Sequence, residues 1–431
     1  MTQPRTTRRA LAAALSVGAL LVTAACSSGA GTPASSAPAD SGANWDEFGP
    51  ITYAAGKDTS GVTTKAVADW NKDNPNEQIT FRELPADADA QRAQMIQRQQ
   101  AKSGEYTIMS IDVVWGAEFA ANNWLEPLPA DKFPTTGMIP AAVDAYTYFN
   151  KLYAIPESSD GAMLYYRKDL LDKANLKPPT TWAEMKAACD KVLPGESGMS
   201  CYSGQHQKYE GLTCNIAEAV NSAGGEFLTA DGKPAVNTEA AIAGVQWMVD
   251  GFKSGMIPKE ALTWKEPESL EAFNSSKLLF YRNWPYAYAL SQKSKVKDKF
   301  GVAPLPGKDG PGVSTLGGHG FGISKFAKNK GTAMKFMLWF TSKEKQTEKL
   351  LLNTLAPVSE EIYSDPAVQA KVPWLPFLKA SIDNAKARPK AVKYGDVTLA
   401  IQDATYAALQ GQQDPKTAFD NLQTKLEALT K

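Results

Sequence analysis

The chain has 431 residues, of which 43% are hydrophobic, 10% aromatic and 21% charged, and its formal net charge is zero. This length exceeds what one hydrophobic core usually fills, so we expect two domains. Without the first 25 residues, which carry three arginines and no acid, the net charge becomes negative, and that balance argues against nucleic-acid binding. Two histidines are too few for a histidine-based metal site.

The N-terminus has the features of an export signal. A basic stretch at residues 5–9 precedes an apolar stretch at residues 10–22, which is too short to span a bilayer comfortably. The small residues Thr23-Ala24-Ala25 then lead to Cys26 and resemble a bacterial lipobox. That resemblance implies a signal peptide of residues 1–25 and a lipidated (palmitate-type) Cys26, which would hold the protein on the extracytoplasmic face of the cell membrane. An ordinary signal peptide with a nearby cut is the alternative, and export by either the general or the twin-arginine route remains open.

Export guides the interpretation of residues 26–44 and of the remaining cysteines. After Cys26 this segment is almost entirely Ser, Ala, Gly and Pro, a composition that predicts a flexible tether because it cannot bury enough apolar surface to fold. Export places the other cysteines in an oxidising compartment. Cys189 and Cys201 would close a short loop behind a helix and are the favoured disulfide, which leaves Cys214 as a buried thiol. A catalytic cysteine is disfavoured because no histidine partner is evident.

The first folded residues predict a parallel sheet covered by helices. The predicted elements alternate, with strands at residues 51–55, 78–83 and 106–111 and helices at 62–72 and 87–102. A β-α-β-α-β order of this kind folds into a parallel sheet. Ligands of such sheets bind outside the carboxyl ends of the strands, where Asp58 and Asp112 fall.

Residues 150–171 predict a place where the chain crosses from one lobe to another. A short strand ends at Pro156, a polar break covers residues 157–161, and a second strand at 162–167 leads into a helix that begins near Lys168. We expect Asp160 to face the cleft between the lobes. Residues 301–306 predict a second crossing, followed by a turn-rich loop.

Helix signals mark the rest of the chain. Thr181 and Glu184 form a capping box, in which each residue satisfies a free backbone N–H at the start of the next helix. Further helices are predicted after Asn237, at residues 332–340, at residues 397–409 and from Pro415 through Leu429.

No catalytic constellation is evident, and no motif for a cofactor or metal is present. The glycine-rich stretch at residues 317–322 follows a loop, which favours close backbone approach to a ligand over a dinucleotide site. Trp284 stands between polar residues at a strand end. A flat aromatic ring can cover the apolar face of a sugar while carboxylates and arginines bind its hydroxyls, so Trp284 is a candidate sugar contact. The other aromatic residues near it are more simply explained as core.

Several stretches together resemble the extracellular solute-binding proteins of bacterial ABC sugar importers, in particular the trehalose/maltose-binding lipoproteins. They are IDVVW (111–115), NWLEPL (123–128), LYYRKDLL (164–171), YEGL (209–212), RNWPYA (282–287), GVAPLP (301–306), LGG (316–318), GISK (322–325) and ARP (387–389). The resemblance implies an α/β fold of two lobes, like that of periplasmic binding proteins, with a ligand cleft between them. The expected lobes are residues 45–155 with 304–360 and residues 156–303 with 361–431.

The same resemblance implies a set of sugar-binding residues. They are Asp58, Arg92, Asp112, Asp160, Trp284, Gly318, His319 and Arg388. His319 stands where relatives often have Trp after the double glycine, and Ser158 replaces a common aromatic near Asp160. Both changes add polar groups, so the favoured sugar can differ from that of relatives.

The resemblance predicts a lipid-anchored monomer that is not an enzyme and has no cofactor. It would capture a disaccharide or short α-glucoside, of the trehalose or maltose type, and deliver it to a membrane permease driven by an ATPase. Binding of another carbohydrate or a polyol is the first alternative. A secreted glycosidase, which would need two carboxylates about 5–10 Å apart across the sugar, is the second.

Overall fold

Two β-sheets, each covered by helices, carry the fold. The computed structural model describes residues 42–229 and 231–430. The predicted signal peptide, Cys26 and the tether up to residue 41 lie outside the described residues. No helix in the described ranges is long and apolar enough to cross a lipid bilayer.

The elements follow in chain order. The strands are β1 (Ile51–Ala55), β2 (Ile79–Glu83), β3 (Ile108–Asp112), β4 (Thr147–Tyr148), β5 (Lys151–Leu152), β6 (Ala154–Pro156), β7 (Asp160–Gly161), β8 (Met163–Arg167), β9 (Ser200–Ser203), β10 (Leu278–Asn283), β11 (Phe300–Ala303), β12 (Leu316–Gly317) and β13 (His319–Ile323). The helices are α1 (Val62–Asp73), α2 (Ala88–Gln100), α3 (Gly116–Ala121), α4 (Pro140–Ala145), α5 (Lys168–Lys173), α6 (Trp182–Val192), α7 (Glu210–Ser222), α8 (Glu239–Lys253), α9 (Glu266–Asn274), α10 (Ala287–Ser291), α11 (Lys330–Phe340), α12 (Lys343–Asn353), α13 (Glu360–Ser364), α14 (Pro366–Lys371), α15 (Leu375–Asp383), α16 (Tyr394–Leu409) and α17 (Pro415–Leu429). Short 3-10 turns occupy Leu193–Gly195 and Lys259–Thr263.

The first lobe is built on a five-stranded sheet with the order β2-β1-β3-β13-β6. β1 pairs in parallel with β2 and β3, as the alternating elements predict. β13, which the sequence did not place in this sheet, adds an antiparallel part because it runs antiparallel to both β3 and β6. The chain enters β13 directly from β12, beside the carboxyl end of β3. No helix between them returns the chain to the amino end of β3, so β13 must run in the opposite direction.

The second lobe is built on a four-stranded sheet with the order β11-β8-β10-β9. β8 pairs antiparallel with β10 and β11, whereas β9 joins β10 in parallel. Apolar side chains of α7, α8, α16 and α17 pack on one face of this sheet. Those of α9 and of α13 to α15 pack on the other, together with part of α4.

The chain crosses between the lobes through two short antiparallel strands, β7 and β12. The predicted polar break at residues 157–161 is therefore partly strand. The predicted lobe boundary beside residue 155 lies in β6 of the first sheet, and the one beside residue 303 lies at the end of β11 of the second sheet. Each of these strands directly precedes a crossing strand. The predicted lobe boundaries stay predictions.

Local signals explain how several elements begin. Thr181 Oγ1 accepts from the Glu184 N–H at 3.1 Å, and a Glu184 carboxylate oxygen accepts from the Thr181 N–H at 3.2 Å, so the predicted capping box is present at α6. α17 has the predicted bounds, and Asp414 caps it through the Thr417 N–H at 3.0 Å.

A disulfide joins Cys189 on α6 to Cys201 on β9 and fastens that helix to the edge of the second sheet. Cys214 on α7 is a buried free thiol. Both features lie in the second lobe.

Candidate ligand-binding site

A cavity of about 290 Å³ lies between the lobes. The first lobe contributes the loop after β1, the start of α2 and the end of β3. The second contributes the starts of α7 and α9 and the segment after β10, while β7 and β12 contribute residues from the crossing. This is the cleft that the fold class predicts.

Arg388 lies buried where the two lobes meet. Its Nη2 donates to Asp112 Oδ1 at 2.9 Å, and its Nη1 donates to Glu210 Oε1. Asp112 ends β3 of the first sheet, and Glu210 begins α7 of the second lobe. Arg388 Nε is buried and has no hydrogen-bond partner among the described residues. Arg388 therefore bridges the lobes, and its Nε–H is left without a partner.

Trp284 and Asp160 come together at the crossing strands. Asp160 pairs with Gly317 in the short ladder of β7 and β12. A Cβ built on Gly317 would lie 2.8 Å from the Trp284 indole and 3.3 Å from Asp160 Cβ, so only glycine allows this approach. The guanidinium of Arg282 covers the indole ring, with its carbon 4.0 Å from the ring centroid. Trp284 and Asp160 thus form a rigid pair that lines the cavity.

The double glycine and His319 form the neighbouring wall. Gly318 has a φ of +116°, and a Cβ there would overlap the Ser158 carbonyl oxygen. The Ser158 hydroxyl accepts from the His319 N–H at 3.1 Å. Ser158 and His319 both line the cavity, so the two polar replacements noted in the sequence share one wall.

The structure brings seven of the eight predicted sugar-binding residues to this cavity and leaves Arg92 out. Arg92 Nε donates to Glu118 Oε2 at 2.7 Å, and its Nη2 donates to the other carboxylate oxygen. Its neighbour Gln91 lines the cavity instead. Asp58 lines the cavity, and its carboxylate also accepts from the Thr64 N–H at 2.7 Å in the first turn of α1.

The sequence did not single out several other lining residues as ligand contacts. They include Glu157, Tyr209, Glu210, Glu266 and Tyr286. Tyr209 and Glu210 stand in the YEGL stretch that carries part of the family resemblance, which was the available signal. Glu266 has no comparable signal, because it opens an ordinary polar helix.

Burial dominates the electrostatics of the cavity. It raises the pKa of Asp160 to about 6, and Glu157 and Asp112 add to the shift while His319 opposes it. Burial also raises the pKa of Glu210 to about 7 against the opposing charge of Arg388. The pKa of Glu157 is raised by burial as well, while Lys349 opposes the shift. When ionised, these carboxylates are charged acceptors for hydroxyl donors, whereas burial shifts them toward the protonated form.

The geometry supplies carboxylate acceptors, one arginine and an aromatic face. No cluster of His, Cys, Asp and Glu side chains within residues 42–229 and 231–430 could hold a metal ion. The arrangement is suited to holding a polar solute between two lobes.

Comparison with known proteins decides the family. The family model of the bacterial extracellular solute-binding proteins matches residues 65–373. The chain belongs to this family. A solute-binding protein has a transport role outside the cytoplasm, so the expectations of an ABC importer component, an extracytoplasmic location and the absence of enzymatic activity are confirmed.

Individual relatives agree with this assignment. A probable ABC transporter-binding protein of Deinococcus radiodurans is 32% identical over 371 residues, which cover 83% of this chain and 87% of the relative. Maltose-bound MalE3 of T. maritima superposes with a TM-score of 0.84 and 31% identity, over 88% of this chain and 99% of that one. A mannitol-binding protein of Pseudomonas aeruginosa is 27% identical over 258 residues, 56% of this chain and 57% of the relative. The predicted two-lobed α/β fold of this solute-binding protein is confirmed.

Proposed function

We propose that this solute-binding protein captures a disaccharide or short α-glucoside, of the trehalose or maltose type, and delivers it to the permease of an ABC importer. It acts as a monomer held on the membrane through lipidated Cys26, and an ATPase drives transport. The Trp284–Asp160 pair carries the proposal. The indole offers a flat apolar surface for the C–H face of a sugar ring, and the carboxylate beside it accepts from the ring hydroxyls.

The size and closure of the site support a short ligand. A cavity of about 290 Å³ lies at the small end of the range of small-molecule sites, about 300–1,000 Å³, which favours one or two sugar rings over a long oligosaccharide. Periplasmic binding proteins are a well-known example of lobes that close around their ligand. A hydroxyl left unmatched inside the closed cleft would cost about 1–3 kcal/mol, and this penalty sets the specificity. The similarity to a maltose-bound protein at 31% identity points the same way.

A polyol is the second candidate. The wall formed by Ser158 and His319 offers polar atoms where stacking surface is expected, and a flexible chain of hydroxyls needs less aromatic surface than a ring. The mannitol-binding relative is consistent with this alternative.

Calorimetric titration of the mature protein with trehalose, maltose, sucrose, maltotriose, mannitol and ribitol tests the function. We expect micromolar or tighter binding of an α-linked disaccharide, unchanged sugar after incubation, and a monomer by light scattering. Tight binding of a polyol with no disaccharide bound would replace the proposal by the second candidate. Hydrolysis of any sugar would contradict a transport role.

The lipid anchor has its own test. Cys26→Ser removes the thiol that would carry the acyl chains, so we expect the protein to leave the membrane fraction and appear in the medium. Metabolic labelling with a palmitate analogue should mark the wild type alone. A variant that stays with the membrane would show that Cys26 is not the anchor.

A further inference from the structure

A second polar group lines the cavity in addition to the Trp284–Asp160 pair. It consists of Tyr209 and Glu266, which line the cavity, together with Lys265 and Asp87. None of the sugar-binding residues predicted from the sequence belongs to this group. Its contacts place it where the cavity meets solvent between the lobes.

Tyr209 and Glu266 form a fixed donor–acceptor pair within the second lobe. The Tyr209 hydroxyl donates to Glu266 Oε2 at 2.5 Å. The ring folds back over the start of α7, where a Cβ on Gly211 would overlap the Tyr209 hydroxyl oxygen, so glycine is required at this position. A carboxylate has about four lone-pair positions, so Glu266 keeps acceptor capacity for a ligand hydroxyl after the bond from Tyr209.

Lys265 and Asp87 link this pair to the first lobe. The Lys265 ammonium donates to Asp87 Oδ2 and also lies 5.3 Å from the centroid of the Tyr209 ring. The two side chains are 23% and 24% exposed, which puts the ion pair at the solvent boundary. On the first lobe, Ala86 and Ala88 beside Asp87 line the cavity, and Glu266 beside Lys265 lines it from the second lobe. The ion pair therefore spans the edge of the cavity.

We propose that Tyr209 and Glu266 form a second hydroxyl-binding subsite, which the Asp87–Lys265 pair borders at the cavity edge and which selects disaccharides over single sugar rings. Glu266 is the ligand contact, and Lys265 and Asp87 are positioning residues. This inference rests on the proposed capture of a disaccharide and names where its second ring binds. The first ring lies on Trp284 and Asp160, and a hydroxyl of the second ring donates to Glu266.

The Asp87–Lys265 pair connects the subsite to lobe closure, and the subsite distinguishes disaccharides from single rings. Lys265 and Asp87 belong to different lobes, so their contact exists only when the lobes are together. A disaccharide that reaches Glu266 adds a bond on the second lobe while Trp284 and Asp160 hold its other ring. A single ring lacks the second contact and gains nothing from the subsite.

Titrations with maltose and glucose test the subsite directly. Glu266→Gln should weaken maltose binding about tenfold or more, because a neutral amide replaces the charged acceptor. It should leave glucose affinity unchanged when glucose is measured by competition with maltose. The melting temperature of the ligand-free protein should stay near that of the wild type. Glu260→Gln, an exposed acid shortly before α9, is the matched control and should bind both sugars normally.

The ion pair is tested by a double-mutant cycle with maltose. Asp87→Asn keeps the cap of α2, since Asn caps as well as Asp and Asp87 Oδ1 accepts from the Ala90 N–H at 3.0 Å. Asp87→Asn and Lys265→Gln should each weaken maltose binding several-fold, and the double variant no more than either alone. Normal maltose affinity in Glu266→Gln, or equal loss for both sugars, would overturn the subsite. A wild type that binds neither maltose nor trehalose would overturn the proposed function, and this inference with it.

Discussion

Arg282 and Arg388 are both buried in this protein, but their surroundings differ. Arg282 on β10 is held entirely by residues of the second lobe: its Nε donates to Glu218 Oε2 at 2.8 Å and its Nη1 to Gln205 Oε1 at 2.9 Å. Arg388 instead divides its guanidinium between Asp112 of the first lobe and Glu210 of the second, and its Nε has no partner among the described residues.

The origin of their partners indicates different roles for the two arginines. A charge matched on all sides within one lobe stays matched whether the lobes are open or closed, so Arg282 serves the fold and supports Trp284. A charge matched across two lobes depends on their approach, so we expect Arg388 to contribute to closure and ligand binding. Burial alone does not distinguish these roles. The origin of the partners does.

Removing Arg282 should have the largest effect. Arg282→Met leaves the buried Glu218 carboxylate without its ion-pair partner, and we expect a loss of about 3–5 kcal/mol in the free energy of unfolding. Urea denaturation of the ligand-free protein measures it. Lys186→Met, which removes an exposed pair with Asp190, is the control and should cost little. A stability close to that of the wild type would show that Arg282 is dispensable to the fold.

Trp284→Ala should remove most sugar affinity and leave the fold intact. Loss of a central aromatic contact costs about 2 kcal/mol or more, which corresponds to about thirtyfold weaker binding by calorimetry. Arg282 remains paired with Glu218 in this variant, so the melting temperature should change far less than in Arg282→Met. Unchanged affinity would identify Trp284 as core.

Arg388→Met should weaken sugar binding about tenfold and destabilise the fold less than Arg282→Met. Asp112 and Glu210 lose their shared partner, but Glu210 keeps the hydrogen bonds from Tyr394 and Thr398, so we expect the cost to fall mainly on closure. Calorimetry and small-angle scattering of the same samples check both parts. A stability loss as large as that of Arg282→Met would end the distinction between the two arginines.

Asp160 should give sugar binding a dependence on pH. Burial raises its pKa to about 6, so the ionised carboxylate that accepts sugar hydroxyls is lost as the pH falls from 7 to 5, and affinity should fall with it. The stability of the ligand-free protein should depend on pH in the opposite direction. A raised carboxyl pKa favours the folded state at low pH, and this contribution disappears as the pH rises through about 6.

Asp160→Asn separates the two effects. Its sugar affinity should be weaker at pH 7 and depend less on pH than that of the wild type. Its ligand-free melting temperature should exceed that of the wild type above pH 6, with the difference closing toward pH 4. A wild-type affinity that is constant from pH 5 to 7 would show that Asp160 does not bind the sugar in its ionised form.

Local sequence signals anticipated much of the fold. The strand at residues 51–55 and the helix from Pro415 have the predicted bounds, because β-branched residues, Pro and capping side chains act through their immediate neighbours. α7 was not among the predicted helices, although Leu212, Ile216 and Val220 recur at helical spacing. Residues 210–221 are all buried, so its polar side chains bind buried partners and mark no solvent-exposed face. The direction of β13 depends on where the chain returns, which no local pattern encodes.

The candidate site divides in the same way. The family resemblance pointed to residues such as Trp284 and Arg388, which stand in recognisable stretches. It also pointed to Arg92, which pairs with Glu118 away from the cavity. Glu266 and Lys265 could not be predicted from the sequence as site residues. Their role depends on contacts that only the fold creates, between Glu266 and Tyr209 and between Lys265 and Asp87 of the other lobe.

The free thiol of Cys214 provides a natural chemical probe of lobe opening. Cys214 lines the cavity and is buried, while Cys189 and Cys201 are joined in a disulfide. We therefore expect a maleimide reagent to reach Cys214 in the folded domain more readily when the lobes part. The rate of modification, followed by mass spectrometry with and without sugar, would report the opening frequency without any engineered label.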